Sequence, residues 1–121
     1  MTIDQLLDSI GCDELEQAFR WIDSVEVVPI ISAGGVRPSE KISGHFIVCL
    51  NDYHASSQEL LETFVHEILH TIISVSFPLA DHEEHHPKIR EVSAHLAAAH
   101  RKRIRFLLSR HVSDEPLRAM I

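Results

Sequence analysis

The chain has 121 residues, enough for one domain over residues 1–121 with a modest core. Its formal charge of −7 argues against an electrostatic nucleic-acid binder, and its 45% hydrophobic and 24% charged residues are ordinary for a globular protein in water. No apolar stretch approaches the roughly 18–20 residues of a membrane span, and the acidic opening M-T-I-D-Q-L-L-D-S-I has no basic segment leading into an apolar run, so neither membrane nor signal peptide is expected and the location reads as cytoplasmic.

Ile3, Leu6, Leu7 and Ile10 have helical spacing, and Gly11 can end that turn. Asp13 can cap a second helix whose apolar face is Leu15, Ala18, Phe19 and Ile22, with Trp21 packed beneath. Cys12 and Cys49 make no C-x-x-C pair and read as reduced thiols. Residues 24–32 are β-rich, with Pro29 pointing to an edge position or a bulge. Ala33-Gly34-Gly35 reads as a turn and residues 36–43 as a mobile polar loop. Residues 44–52 hold the clearest strand, an apolar run from Phe46 to Leu50 bounded by Gly44 and Asn51-Asp52. Such a strand can serve as core, or as an edge that holds an extended peptide by backbone hydrogen bonds.

Residues 57–74 read as a helix, capped by Ser56 or Ser57 and with Glu59 and Glu62 in its first turns. Inside it lies T-F-V-H-E-I-L-H-T-I, residues 63–72, which carries His66-Glu67-Ile68-Leu69-His70. Positions four apart share a helix face, so His66 and His70 can aim their imidazoles at one zinc ion about 2.0–2.1 Å from each nitrogen. Glu67 projects beside that point and can take a proton from a water whose pKa zinc lowers to about 7. Ten histidines in the chain make a chance match a real alternative. The uncharged flanks Phe64, Ile68, Leu69, Thr71 and Ile72 count against it, because they suit a helix buried on several sides.

Pro78 and Pro87 bracket a polar loop containing His82, His85 and His86. One long helix is expected from Lys88 to about His111, with Ile89, Val92, Leu96, Ala99, Ile104, Leu107 and Leu108 on its apolar face. The basic run Arg101-Lys102-Arg103 with Arg105 reads as its solvated side, and Asp114-Glu115-Pro116 as the end of regular structure. A catalytic zinc needs three protein ligands and an open position. Glu91 is the leading candidate for the third, 21 residues after His70 and beside the small residues Ser93 and Ala94 that let helices approach. His95 is the alternative, as ligand or as a group orienting one. His85 and His86 rank below them on their acidic loop, and His82, His100 and His111 read as surface histidines.

His66, Glu67 and His70 followed by Glu91 resemble the gluzincin branch of the zincin metallopeptidases. The strand H-F-I-V-C-L-N-D, the H-E-x-x-H helix and then E-x-x-A-x-x-x-A resemble, over about residues 44–108, the ImmA/IrrE-type peptidases of phage and bacteria. The resemblance implies an α+β fold of minimal zincin type and a zinc endopeptidase acting on a protein or peptide, in that family a repressor or regulator. Glu67 would be the general base, and His66, His70 and Glu91 the ligands. Two positions depart from the pattern. Leu69 stands where such families usually have glycine, so local packing must differ. His95 stands where thermolysin-like gluzincins have the aspartate that orients a histidine. Tyr53 and His54, just before the helix, are candidates for the cleft wall. The reading of a different class is a non-catalytic metal-binding module, in which His66, His70, Glu91 and His95 together close the coordination sphere and leave no place for water.

Overall fold

The computed structural model describes all 121 residues as an α+β fold of six α-helices and one mixed three-stranded sheet. The chain enters through α1 (Ile3–Ser9). There Thr2 accepts from the Gln5 N–H at 3.1 Å, and its own N–H donates to the Gln5 side chain at 2.9 Å, a reciprocal cap. α2 (Cys12–Gln17) starts one residue before the expected Asp13 cap, with the Gly11 N–H donating to Glu14 Oε1 at 2.8 Å. It is also shorter than its apolar spacing suggested. A single 3₁₀ turn, Ala18–Arg20, leads into β1 (Ile22–Val27), so Ile22 is a strand residue paired with Phe46. The β-rich run simply begins at Ile22, where strand pairing outweighs weak helical propensity.

β1 lies at one edge of the sheet but ends at Val27, short of the expected residue 32, so Pro29 falls outside the strand and neither occupies an edge position in it nor makes a bulge. β2 (Gly34–Pro38) is a correction: the expected turn and mobile loop form the other edge strand, antiparallel to β3 (Phe46–Leu50). Two glycines and a proline are poor strand formers, but pairing over five positions satisfies the backbone groups that face β3 and overrides local propensity. β3 is the central strand, parallel to β1 and antiparallel to β2. Of the two roles open to it, it therefore fills that of a core strand. Arg37 on β2 reaches across it to Glu26 on β1 at 2.8 Å.

α3 (Ser57–Ser76) confirms the reading of its start: the Ser56 hydroxyl accepts the Glu59 N–H at 3.1 Å. It packs against the next two α-helices of the chain and the sheet with a fully buried set that includes Leu60, Leu61, Phe64, Val65, Ile68, Leu69 and Ile73, within one core of 26 residues. Trp21 fastens β1 to this helix by donating from Nε1 to Thr71 Oγ1 at 3.0 Å, one residue past His70.

The expected long C-terminal helix is two: α4 (His86–Ala99) and α5 (Arg101–His111), broken at His100 (φ −125°, ψ 37°). No proline or glycine forces the break. It redirects α5 so that Ile104, Leu107 and Leu108 also reach the core. Pro87 is not a loop boundary either but lies in the first turn of α4, where its missing N–H costs nothing. The basic run is only partly a solvated face. Arg101 donates to Gln58 and Ser57 of α3, both at 2.7 Å, and Arg103 bonds Glu16 at 3.0 Å and Asp13. Asp114 caps a last short helix, α6 (Glu115–Arg118), where regular structure was expected to end. Both cysteines are free and buried, and no helix is long and apolar enough to cross a membrane.

Candidate metal centre

While three sides of α3 are buried, one stripe stays open. Glu59, Glu62, Thr63, His66, Glu67, His70 and Ser74 line a cleft of about 1120 Å³. Their spacing of three and four residues is the helical period. The opposite walls are β2 with Ser32 and Ala33, and the first half of α4 with His82 on the connection before it.

At the floor, His66 Nε2 and His70 Nε2 stand 3.0 Å apart, a meeting that the i,i+4 spacing allows. Tetrahedral zinc at about 2.0–2.1 Å from each would set them about 3.4 Å apart, so a shift of a few tenths of an ångström converts their mutual hydrogen bond into a shared ligand pair. α4 runs back along α3, and its first residue, His86, brings its ring centroid to 5.0 Å from that of His70 and 5.6 Å from that of His66. One ring nitrogen from each of the three histidines lies within 4.8 Å of the others.

Burial tunes these groups toward metal binding. It pushes the His66 imidazole down to about 4, helped by nearby His86 and Arg90, and that of His70 down to about 3, helped by His66, His82 and His86. Both rings are therefore neutral near pH 7, the form that offers a lone pair. Glu67 is only 6% exposed, and burial pushes its carboxyl up to about 7. Its Oε1 lies 3.9 Å from His66 Nε2, beside the donor group and not bonded to it. A carboxyl so placed can hold or release a proton near neutrality.

Glu91 lines the same cleft from α4, but its carboxylate is outside the group of converging donor atoms, and its side chain is exposed. His95, one turn further on, is exposed and does not line the cleft. Tyr53 and His54 are also not part of the wall: Tyr53 is exposed and His54 is buried, its Nε2 at 2.9 Å from the Asn51 carbonyl. His86 is the first residue of α4 and not the loop residue its acidic neighbours suggest. The His-Pro pair was a usable signal, because proline in a first turn marks a helix start and puts His86 at its tip. His82 had no such signal. It reaches the cleft through the path of the loop, and its Nδ1 lies 2.7 Å from His70 Nδ1. His111 is not a plain surface histidine either, since it stacks on Phe19 at 3.8 Å.

In comparisons with protein-family models, with curated proteins and with solved structures, nothing matches the chain. What it defines by itself is an α+β fold with a three-histidine group able to hold a metal ion.

Proposed function

We propose that the chain is a zinc-dependent peptide hydrolase, a single domain of minimal zincin type over residues 1–121, with His66 and His70 as metal ligands and Glu67 as general base. The observation that carries this reading is the convergence of two neutral imidazoles at 3.0 Å beside a buried carboxyl, on the floor of an open cleft. Zinc, when bound, supplies polarisation of the scissile carbonyl and activation of a water. Glu67 accepts that water's proton on its carboxylate and hands it to the leaving amine nitrogen. β2, an edge strand along the cleft, offers its free backbone groups to an extended peptide or protein substrate. The third protein ligand comes from the first half of α4. Geometry favours His86, within the donor group, and the gluzincin resemblance favours Glu91, on the wall of the same cleft.

The test is zinc content of untagged protein beside His70→Ala, His86→Ala and Glu91→Ala. About one zinc per chain, lost in His70→Ala and in one of the α4 variants, supports the site and names its third ligand. Absence of zinc after reconstitution refutes it. Glu67→Gln should keep zinc and lose cleavage of a peptide library, whereas His66→Ala should lose both. Normal turnover by Glu67→Gln would rule out the proposed base.

A second reading rests on the same wall. His86 and Glu91 are both within the cleft, and if both bind, the sphere closes and the chain is a metal-binding regulatory module without turnover. Zinc weakened by both α4 variants, with no cleavage by the parent, is its signature.

A further inference from the structure

A histidine that gives one ring nitrogen to a metal must carry its proton on the other, and that proton needs an acceptor. Carboxylates and backbone carbonyls are the usual acceptors. The resemblance pointed to His95 as the residue in place of such a group, but His95 is exposed and outside the cleft. Around His70 the arrangement is different. Its Nε2 faces His66 Nε2 at 3.0 Å, and its Nδ1 faces His82 Nδ1 at 2.7 Å. The ring planes of His70 and His82 are parallel within 2°, with centroids 5.0 Å apart. Centroids 5.0 Å apart with nitrogens only 2.7 Å apart put both nitrogens on the line between the rings, so the parallel rings lie in one plane and meet edge to edge, as an in-plane N–H···N bond requires, and not face to face.

The segment that carries His82 is itself held. The Asp81 carboxylate accepts the Glu83 N–H at 3.0 Å, and the His82 carbonyl accepts the His85 N–H at 3.0 Å, opening the 3₁₀ turn that leads into α4. His82 is half-buried and is also part of the cleft wall.

We infer that His82 is a positioning residue: its Nδ1 accepts the Nδ1 proton of His70, fixing the ring and the tautomer in which His70 Nε2 is free to bind the metal. This inference rests on the proposed metal site. With both Nε2 lone pairs of His66 and His70 committed to an ion, His70 must be the Nδ1–H tautomer. His82 must then be the Nε2–H tautomer, with its Nδ1 lone pair toward His70. No proton is gained or lost by the pair. The bond between them acquires a direction, and an imidazole does here what a carboxylate does in many metal sites. Because a neutral acceptor withdraws less charge from the proton than a carboxylate, His70 is held in place without being made strongly basic.

The experiment measures zinc affinity by competition with a chelator in wild-type protein, His82→Leu and His82→Asn. The Asn Oδ1 is attached to Cγ as the His Nδ1 is, so asparagine keeps an acceptor at that position and leucine removes it. His82→Leu should bind one zinc about 10–100-fold more weakly, and His82→Asn should stay within about threefold of wild type, as expected when the acceptor is kept. In the zinc-loaded wild type, the His70 Nδ1 proton should give a slowly exchanging NMR signal that is lost in His82→Leu and present in His82→Asn. Equal zinc affinity in wild type and His82→Leu overturns the role. So does complete loss of zinc from His82→Leu at saturating metal, which makes His82 a ligand instead. Absence of zinc from the wild type refutes the metal site beneath the inference, an outcome distinct from both.

Discussion

Gly34 on β2 lies directly against Glu67 on α3. A Cβ at position 34 would stand 3.1 Å from Glu67 Cγ, 2.8 Å from Thr63 Cγ2 and 3.1 Å from the Cys49 carbonyl oxygen. The absent side chain lets the edge strand approach the helix that carries His66, Glu67 and His70. Gly34→Ala should press β2 away from α3 through the Thr63 and Glu67 side chains, because the Cys49 oxygen on β3 is backbone and leaves the added methyl no room on its other side. A stability loss of about 1–3 kcal/mol is expected from overpacking, with a rise in the exposure of Glu67. Gly35→Ala is the matched control, since its Cβ would meet nothing within 4 Å. Denaturant unfolding of the two variants makes the comparison, and equal stabilities would show that β2 does not hold Glu67 in place.

Leu69 stands where the resembled families usually have glycine. Leu69 is fully buried in the core cluster. Leu69→Gly, which would restore the common H-E-x-G-H pattern, should destabilise the protein by about 3–6 kcal/mol. The loss combines a buried leucine side chain with a glycine in a helix interior. Thermal unfolding checks it, and a variant as stable as the parent would mean that position 69 is not a core position.

The metal-free protein should show a characteristic dependence of stability on pH. His66 and His70 titrate at about 4 and about 3 when folded, against an ordinary value of 6.5. Between those values the unfolded chain binds more protons, so their contribution is lost as pH falls below about 6.5. Glu67 acts in the opposite sense. Its folded value of about 7 lies above the ordinary 4.5, so the folded chain binds the extra proton and stability falls as pH rises through that window. From pH 4.5 to 6.5 two histidines outweigh one glutamate, and above that range only the glutamate term remains. Metal-free Glu67→Gln should therefore be more stable than the parent at pH 8, by about 3 kcal/mol at 1.36 kcal/mol per pKa unit. The difference should vanish near pH 4. Urea titrations at the two pH values measure it, and a difference independent of pH would remove burial of an ionised Glu67 as its cause.

Arg101, the first residue after the helix break, ties α5 to the N-terminus of α3 through Ser57 and Gln58. Arg101→Ala should cost about 1–2 kcal/mol, in the range of hydrogen bonds that involve a charged donor and are partly open to water. Lys102→Ala, on the exposed side of the same helix, should be nearly neutral. Comparable losses in both variants would return the basic run to its reading as a solvated face.

The sequence by itself determined what is local. The i,i+4 spacing of His66 and His70, the Ser56 cap, the apolar faces of α3 and the run that became β3 are each contained within a few residues, and one helical or extended period decides where their side chains point. The pairing of His66 and His70 and the placing of Glu67 beside them follow from that period alone. Only the tertiary structure decided the rest. Gly34 and Gly35 form a strand because β3 supplies the partners for their backbone groups, and α5 turns at His100 because the core lies in that direction. His86 and His82 enter the cleft because α4 folds back along α3 and the connecting loop follows it. Those outcomes depend on contacts between residues distant in the chain, whose energies no local pattern contains.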